Sequence, residues 1–220
     1  MRRVRVKICC IASGEEARLA IAEGADALGL VGAMPSGPGP IQDDLIAEIA
    51  AAVPPPVATF LLTSETGAEA IVDHARRCRT SALQLVDRLA PEVYAHVREA
   101  LPAIKLVQVV HVGGPEALED ARAAAPHVDA ILLDSGEPRA AVRVLGGTGR
   151  VHDWRISRRI VDVSPCPVIL AGGLRPDNVL QAIAEVRPFG VDVCTGVRSD
   201  WRLDPAKLRA FIGAVRTVQD

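Results

Sequence analysis

The chain has 220 residues, and 49% of them are hydrophobic, which is enough apolar material to build a buried core. The 25 basic and 27 acidic side chains nearly balance, so the sequence lacks the strong positive charge of a nucleic-acid-binding domain. No apolar run is long enough to span a membrane, and the odd number of cysteines, without CxxC spacing, favours a reduced cytoplasm. The five histidines show no metal-ligand spacing, so we expect no metal site.

Short apolar runs alternate with longer segments of helical period along the whole chain. The predicted strands cover residues 4–10, 27–31, 57–62, 82–86, 105–110, 130–134, 168–171 and 190–194. The predicted helices cover residues 14–23, 42–52, 66–78, 91–101, 114–124, 156–163, 177–186 and 204–215. Ser13 and Glu16 have the spacing of a capping box at the start of the first helix.

The eight strand-and-helix units follow one another without a change in composition that would mark a linker. Strand–helix alternation predicts a parallel sheet, and eight units are the number that closes a barrel. We therefore predict an α/β fold, a single (β/α)8 TIM barrel that forms one domain over residues 1–220. The alternative is a doubly wound open sheet, which is less favoured because no GxGxxG motif follows the first strand.

Strand parity directs polar side chains from four strands toward one axis. Lys7 and Cys9 alternate with apolar residues in the first strand, and Gln84 does so in the fourth. Asp134 ends the sixth strand, and Asp192 lies in the eighth. Because buried polar groups cost free energy unless they have partners, this convergence indicates a site rather than packing.

A thiol and a carboxyl group at the mouth of a barrel form a plausible proton-transfer pair, here Cys9 and Asp134. The neighbouring Lys7 is expected to lower the pKa of the Cys9 thiol. Two other interpretations stay open: Cys9 is an inert buried side chain, or Asp134 forms a structural ion pair with Lys7. By the same parity, Cys10 is expected to face the helices.

Glycine-rich segments follow strands seven and eight, at the face of a barrel that carries active sites. Gly172 and Gly173 follow strand seven, while Thr195 and Gly196 follow strand eight. Glycines let backbone N–H groups approach an anion closely, so these loops predict a phosphate-binding site, to which Arg198 adds positive charge. The other interpretation is that they are ordinary turn glycines.

The order of these segments resembles the phosphoribosylanthranilate isomerase family, from Val6 to about Phe211. The segments that carry the resemblance are Lys7-Ile8-Cys9, Gly24-Ala25-Asp26-Ala27-Leu28-Gly29, Leu83-Gln84-Leu85, Leu132-Leu133-Asp134, Gly146-Gly147-Thr148-Gly149, Asp153-Trp154, Leu170-Ala171-Gly172-Gly173-Leu174 with Pro176 and Asn178, and Val191-Asp192-Val193 with Gly196-Val197.

The resemblance implies a cofactor-free Amadori rearrangement in tryptophan biosynthesis, in which phosphoribosylanthranilate, an aminoaldose, becomes an aminoketose. It implies that Asp134 is the general acid that opens the furanose ring and that Cys9 is the general base that removes the C2′ proton. The implied phosphate-binding residues are Gly172, Gly173, Thr195 and Gly196. From their inward position in the strands we also expect Lys7, Gln84 and Asp192 to bind the substrate, together with Arg198 after the second glycine loop. The expected partner is a small phosphorylated sugar-amine, and the expected state is a monomer or a homodimer.

The sequence departs from the family pattern at the end of the site that would hold the anthranilate. The family's Ser-Pro-Arg loop after strand two is replaced by residues 35–40, which contain no arginine, and its Gln-Leu-His-Gly becomes Gln84-Leu85-Val86-Asp87. The family's Cys-Gly after strand one is Cys9-Cys10 in this sequence, and its Ser-Gly-Val-Glu after strand eight is Thr195-Gly196-Val197-Arg198. Arg139 and Arg198 are candidate replacements for the lost cation. The alternatives are a paralogue that acts on another sugar phosphate and a barrel that binds a phosphometabolite without catalysis.

Overall fold

Eight parallel strands close into a barrel in the computed structural model, which describes residues 3–35, 39–135 and 152–217. The strands are β1 (Arg5–Ile8), β2 (Ala27–Val31), β3 (Ala58–Thr63), β4 (Ala82–Leu85), β5 (Lys105–His111), β6 (Ala130–Asp134), β7 (Val168–Leu170) and β8 (Gly190–Val193). Each strand pairs with the next along the chain, and β8 pairs with β1 through the register Lys7↔Asp192. The predicted (β/α)8 barrel is confirmed.

Each barrel strand is followed in the chain by an α-helix. The helices are α1 (Gly14–Glu23), α2 (Asp43–Ala52), α3 (Ala68–Cys78), α4 (Pro91–Ala100), α5 (Ala117–Ala124), α6 (Trp154–Val163), α7 (Val179–Val186) and α8 (Pro205–Thr217). All eight helices were predicted, with differences of a few residues at their ends. None of the helices in the described ranges is long and apolar enough to cross a membrane.

Within the residues that the structure describes, four short elements were not predicted from the sequence. They are 3-10 turns over Ala125–His127 and Thr195–Val197, and an antiparallel hairpin of β9 (Arg198–Ser199) and β10 (Arg202–Leu203). The turn of the hairpin places Asp200 at φ 48° and Trp201 at φ 61°, which is the backbone twist that tight hairpins require. Strands of two residues are too short to show a hydrophobic period, so the pattern gave no signal for them.

Alternation along the strands builds two apolar layers. Ile8, Leu83 and Leu133 belong to the outer layer between the sheet and the helices, while Leu62 and Leu132 belong to the inner layer inside the barrel. Because both faces of each strand are covered, the strands are apolar almost throughout, as is usual in parallel sheets. The polar residues of the inner layer therefore stand out against an apolar background.

The start of α1 differs in one detail from the predicted capping box. The Ser13 Oγ accepts a hydrogen bond from the Glu16 backbone N–H at 3.2 Å, as expected of an N-cap residue. The Glu16 carboxylate, however, accepts from the backbone N–H of Ala12 at 3.0 Å instead of that of Ser13, and it also binds Arg198. Half of the predicted box is therefore formed.

The position of Cys10 was predicted incorrectly. Strand parity was extended to residue 10, but β1 ends at Ile8, and Cys10 has a left-handed backbone with φ 60°. This turn moves the Cys10 side chain from the helix side to the inner apolar cluster, where Cys9 and Cys194 also lie. Three thiols consequently lie at the β1–β8 side of the barrel mouth.

Phe211 tests how much the helix–barrel packing contributes to stability. Its side chain on α8 is fully buried, so we expect Phe211→Ala to lower the free energy of unfolding by ~3–5 kcal/mol, from lost burial and the cavity left behind. Urea denaturation followed by circular dichroism measures this change. Phe189→Ala is the matched control, because the Phe189 side chain is 45% exposed and its truncation should cost far less. Equal losses in the two variants would contradict the assignment of Phe211 to the core.

Candidate active site

A buried ion pair joins the first and last strands of the barrel. Lys7 Nζ lies 2.9 Å from Asp192 Oδ2, and the two side chains are only 3% and 6% exposed. Burial acts against the charge on Lys7, but Asp192 and Cys9 together hold the Lys7 pKa above its usual range. Lys7 is therefore a fixed ammonium group inside the barrel, and its partner is Asp192 rather than Asp134.

The Cys9 thiol lies beside this ammonium group. Lys7 Nζ donates a hydrogen bond to Cys9 Sγ at 3.4 Å. A hydrogen bond from Cys10 lowers the Cys9 pKa most and Lys7 lowers it further, while burial and Asp192 act in the opposite direction. The net direction is downward, so the surroundings of Cys9 favour the thiolate, which is the form that can accept a proton.

Gly29 on β2 makes room for this arrangement. A Cβ atom at position 29 would lie 2.7 Å from Cys9 Sγ and 2.9 Å from Lys7 Nζ. Both distances are shorter than side-chain atoms tolerate, so any other residue would displace the thiol and the ammonium group. From the sequence, Gly29 was identified only as part of a family segment. The side chains that face Gly29 are set by the pairing of β2 with β1, which the sequence pattern does not reveal.

Asp134 has the opposite protonation tendency from Cys9. Burial raises the Asp134 pKa above its usual value, and Asp192 adds to the increase, while the Ser135 N–H, His111 and Lys7 act against it. The net direction is upward, which favours a protonated carboxyl group able to act as an acid. β6 lies three strands from β1 around the barrel, so the acid and the thiol come from different sides of the mouth. Lys7 and Asp192 influence the pKa of both groups, which indicates that they share one cavity.

Two further polar side chains face this interior. Gln84 is 4% exposed, and its Oε1 accepts no hydrogen bond from the described residues. His111 ends β5 beside Asp134, and its Nε2–H donates to the Val86 carbonyl at 3.1 Å. The buried His111 Nδ1 has no hydrogen-bond partner within the described ranges. The sequence reading missed His111 because it ended strand five at Val110; continuing the inward set from Val107 and Val109 would have found it.

The loops after β7 and β8 lie against each other. Gly172 and Gly173 have φ of 85° and 64°, the left-handed region that glycine adopts without strain. A Cβ atom at Gly196 would lie 2.0 Å from the Leu174 carbonyl oxygen, so only glycine fits there. The backbone N–H groups of Gly173, Thr195 and Gly196 donate no hydrogen bond to the described residues. The structure thus brings the four predicted phosphate-binding residues to adjacent loops with donors available.

Arg198 does not extend toward the substrate. Its guanidinium group is buried, and it pairs with Glu16 through two contacts of 2.9 and 3.0 Å. It also donates to the carbonyl oxygens of Cys9, Cys10 and Trp201. These contacts are all within the protein and argue against the predicted substrate-binding role. The sequence could not reveal them, because Glu16 and Arg198 are 182 residues apart.

Two sequence interpretations fall outside the described residues. They concern Arg139 with the segment 146–149, which lie within residues 136–151, and the middle of the proline-rich loop at residues 36–38.

Three possible metal ligands meet on the flank of the barrel. Ligand atoms of Asp43, His74 and Cys78 lie within 4.8 Å of one another. His74 Nδ1 is hydrogen-bonded to Thr63 Oγ1 at 2.9 Å, and Asp43 Oδ2 accepts from Arg77 at 2.8 Å. These bonds account for the cluster as a polar contact between α2, α3 and β3, so we assign no ion to it.

The sequence matches a protein-family model over nearly its whole length. A family model described as N-(5'phosphoribosyl)anthranilate (PRA) isomerase matches residues 6–214 of the chain. The chain belongs to this family. The match includes the Lys7–Cys9 segment, Asp134 and both glycine-rich loops, so the resemblance inferred from the sequence motifs is confirmed.

Individual PRA isomerases resemble the chain over nearly its whole length. The isomerase of Methanocella arvoryzae is 38% identical over 216 residues, which are 98% of this chain and 99% of the relative. The isomerase of Desulforudis audaxviator is 41% identical over 211 residues, or 96% of this chain and 97% of the relative.

Solved structures of PRA isomerases share this fold. The Thermotoga maritima isomerase gives a TM-score of 0.83 at 31% identity and covers 97% of this chain and 99% of its own. Another PRA isomerase structure, solved in complex with reduced 1-(o-carboxyphenylamino)-1-deoxyribulose 5-phosphate, gives a TM-score of 0.81 at 29% identity, with the same coverage.

Asp192→Asn tests the electrostatics around the thiol. Asp192 raises the Cys9 pKa and forms an ion pair with Lys7. Neutralisation of Asp192 should therefore lower the pH at which Cys9 ionises. The rate of Cys9 alkylation by iodoacetamide, measured against pH with the modified cysteine identified by mass spectrometry, should show its inflection at lower pH. Asp129→Asn, which removes a carboxylate paired with Arg98 and Lys105 outside the barrel, is the control and should leave the inflection unchanged. An upward shift in Asp192→Asn would refute this account.

Proposed function

We propose that the chain is a PRA isomerase that converts N-(5′-phosphoribosyl)anthranilate into the corresponding 1-deoxyribulose 5-phosphate aminoketose. The observation that carries the proposal is the placement of two proton-transfer groups at one barrel mouth, the Cys9 thiol 3.4 Å from Lys7 Nζ and the Asp134 carboxyl group at the end of β6. Their pKa values shift in opposite directions, upward at Asp134 and downward at Cys9. An upward shift suits the acid and a downward shift suits the base that an Amadori rearrangement needs. Membership of the PRA isomerase family supports the substrate class and a role in tryptophan biosynthesis.

Asp134 acts first in the proposed reaction. Its carboxyl group donates a proton to the furanose ring oxygen, the C1′–O bond breaks, and the anilino nitrogen supplies electrons to form a C1′=N iminium ion. Burial favours the neutral carboxyl group before the transfer. Afterwards the Ser135 N–H, 2.7 Å from Asp134 Oδ1, stabilises the carboxylate that remains.

Cys9 acts on the opened sugar. The iminium ion acidifies the C2′–H bond, and the Cys9 thiolate accepts this proton, which leaves an enolamine that tautomerises to the aminoketose. Lys7 contributes through Cys9, because its ammonium group donates to Sγ at 3.4 Å and stabilises the negative sulfur. In this proposal Asp192 holds Lys7 in place, so neither residue needs to contact the substrate directly.

The substrate phosphate is proposed to bind the loops after β7 and β8. The backbone N–H groups of Gly173, Thr195 and Gly196 donate no hydrogen bond to the described residues, and backbone N–H groups of this kind can form anion sites. Gln84 Oε1, buried and without a donor, is proposed to accept a hydrogen bond from a sugar hydroxyl. No step of this reaction requires a cofactor or a metal ion.

A second function competes with the first because of the residues at the end of the site that would bind the anthranilate. Residues 35–40 contain no arginine, and Arg198 is occupied by Glu16. A lost charge-assisted contact is worth about 1.5–3 kcal/mol, which is enough to change the preferred aglycone. The competing function is therefore the same rearrangement on another phosphoribosyl-amine. A barrel that only binds is disfavoured, because the surroundings of Cys9 and Asp134 favour the protonation states that catalysis uses.

We also propose that the enzyme is cytoplasmic and forms a single domain. Among the relatives, the Thermotoga maritima isomerase is described as dimeric, so both a monomer and a homodimer fit the family. The net charge of −2 gives no reason to expect a nucleic acid partner.

Cys9→Ser and Asp134→Asn test the catalytic roles. Each change removes one proton-transfer group, so kcat for N-(5′-phosphoribosyl)anthranilate should fall roughly 10²–10⁴-fold. Inhibition by inorganic phosphate should persist, because the loops after β7 and β8 are unchanged. The assay is the loss of substrate fluorescence with purified protein, together with growth of an isomerase-deficient strain without tryptophan.

Matched controls separate catalysis from stability. Cys166→Ser and Asp73→Asn make the same chemical changes away from the mouth, and both should retain full activity; Asp73 is an exposed residue of α3. Wild-type protein that binds phosphate and turns over a different phosphoribosyl-amine, but not the anthranilate compound, would support the competing function. Wild-type protein that turns over neither would overturn the proposal.

A further inference from the structure

Arg198 connects the phosphate-binding loop to the catalytic thiol. It directly follows the 3-10 turn Thr195–Val197, which carries two of the proposed phosphate donors. Its Nη2 donates to the carbonyl oxygens of both Cys9, at 3.4 Å, and Cys10. One buried side chain therefore bridges the end of β8 and the end of β1.

Glu16 fixes the guanidinium group in this position. Its two carboxylate oxygens lie 3.0 and 2.9 Å from Nη1 and Nη2 of Arg198, a bidentate pairing that leaves little rotational freedom. The same carboxylate accepts from the backbone N–H groups of Ala12 and Leu203. Although burial disfavours the ionised form, Arg198 and these two amides keep the Glu16 pKa below its usual value. Glu16 thus ties together the β1–α1 loop, Arg198 and β10.

The backbone that Arg198 binds is strained. Cys10 has φ 60°, a conformation that costs free energy for a residue with a side chain and persists only where the surroundings impose it. The Cys10 carbonyl oxygen accepts a hydrogen bond from Arg198. The Cys10 side chain packs against Gly39 so closely that a Cβ atom at position 39 would lie 2.8 Å from the Cys10 Cβ. Arg198 supplies a charged hydrogen bond at the strained residue itself.

We propose that Arg198 is a positioning residue that holds the turn after Cys9, and with it the thiol, in register with the phosphate-binding loop. The inference rests on the proposed function, because it assigns Cys9 to proton transfer and the loop to the phosphate. Arg198 touches neither substrate nor reacting atoms; it acts through the backbone of Cys9 and Cys10.

Three roles for Arg198 give different kinetics. A substrate contact would raise KM and leave kcat unchanged, and a purely structural role would reduce the folded fraction without changing kcat per folded site. A positioning role lowers kcat per folded site more than it raises KM, because small displacements of a base from the reacting atom slow the chemical step.

Arg198→Met is the decisive variant, with Arg198→Lys as the conservative one. We expect kcat per folded site to fall about tenfold or more in Arg198→Met and by less in Arg198→Lys, which keeps a positive charge beside Glu16. Steady-state kinetics, with the folded fraction set by circular dichroism, measure this. Arg209→Met is the matched control, because it breaks an exposed arginine–glutamate pair that also ends on α1, between Arg209 of α8 and Glu23.

A second readout does not depend on turnover. The charged and titratable groups around the Cys9 thiol are Lys7, Asp192 and Cys10, and the hydrogen bond from Cys10 contributes most to the lowered Cys9 pKa. When Arg198 is absent, the Cys10 turn should relax and this hydrogen bond should weaken. The pH inflection of Cys9 alkylation in Arg198→Met should therefore move upward, while Arg209→Met should match the wild type.

Cys10→Gly completes a double-mutant cycle. Glycine adopts positive φ without strain, so the turn no longer needs the arginine. The loss of kcat caused by Arg198→Met should consequently be smaller in a Cys10→Gly background than in the wild-type background. Additive effects on kcat would show that Arg198 does not act through Cys10.

The inference is overturned if Arg198→Met keeps both wild-type kcat per folded site and the wild-type alkylation inflection. It is equally overturned if only KM changes. If Arg198→Met does not fold, Arg198→Lys replaces it in the kinetic comparison, in the alkylation experiment and in the double-mutant cycle with Cys10→Gly. The same results then support or overturn the inference. If wild-type protein has no isomerase activity, the proposed function fails, but the alkylation inflection still tests whether Arg198 controls the Cys9 turn.

Discussion

The ion pair between Lys7 and Asp192 is the interaction on which the rest of the site depends. It lies where β1 and β8 meet, so it joins the two ends of the sheet at the point of closure. Removing two charges from water costs several kcal/mol per ion, and this cost is offset only when the pair is close and well oriented. The same ammonium group lies 3.4 Å from the Cys9 thiol and contributes to lowering its pKa. Closure of the fold and ionisation of the proposed base therefore rest on one contact.

Much of the architecture could be predicted because it follows from local periodicity. Val6 and Ile8 alternate with Lys7 in β1, and the same period of two assigns the inward side of β6 up to Asp134. Parity stops being informative where a strand stops. Cys10 lies two residues past the end of β1 with a left-handed backbone, and its carbonyl oxygen accepts a hydrogen bond from Arg198, which is 188 residues away in the sequence. Contacts between residues so distant in sequence leave no periodic signal.

In the candidate site, too, local pattern predicts some features and contacts between distant residues decide the others. Side chains within strands, such as Lys7, Gln84 and Asp192, were assigned inward from the pattern, whereas their partners depend on register. Parity left Lys7 equally able to pair with Asp134, and only the closure of β8 on β1 selects Asp192. Arg198 shows the same limit, because its charge and its place after a glycine loop suggested an anion ligand. Its burial and the carboxylate of Glu16 give it a different role.

The contact between Gly196 and the Leu174 carbonyl oxygen has a consequence for how this barrel can diversify. The two loops touch through backbone atoms, with no side chain between them that substitution could enlarge or shrink. An insertion in either loop would separate both halves of the proposed anion site at once, so a change in one loop requires a matching change in the other. Changes in ligand choice would then have to arise in other loops, such as the proline-rich segment that follows β2 in the sequence. The backbone contact thus constrains the proposed phosphate end of the ligand site more than loops that do not share it.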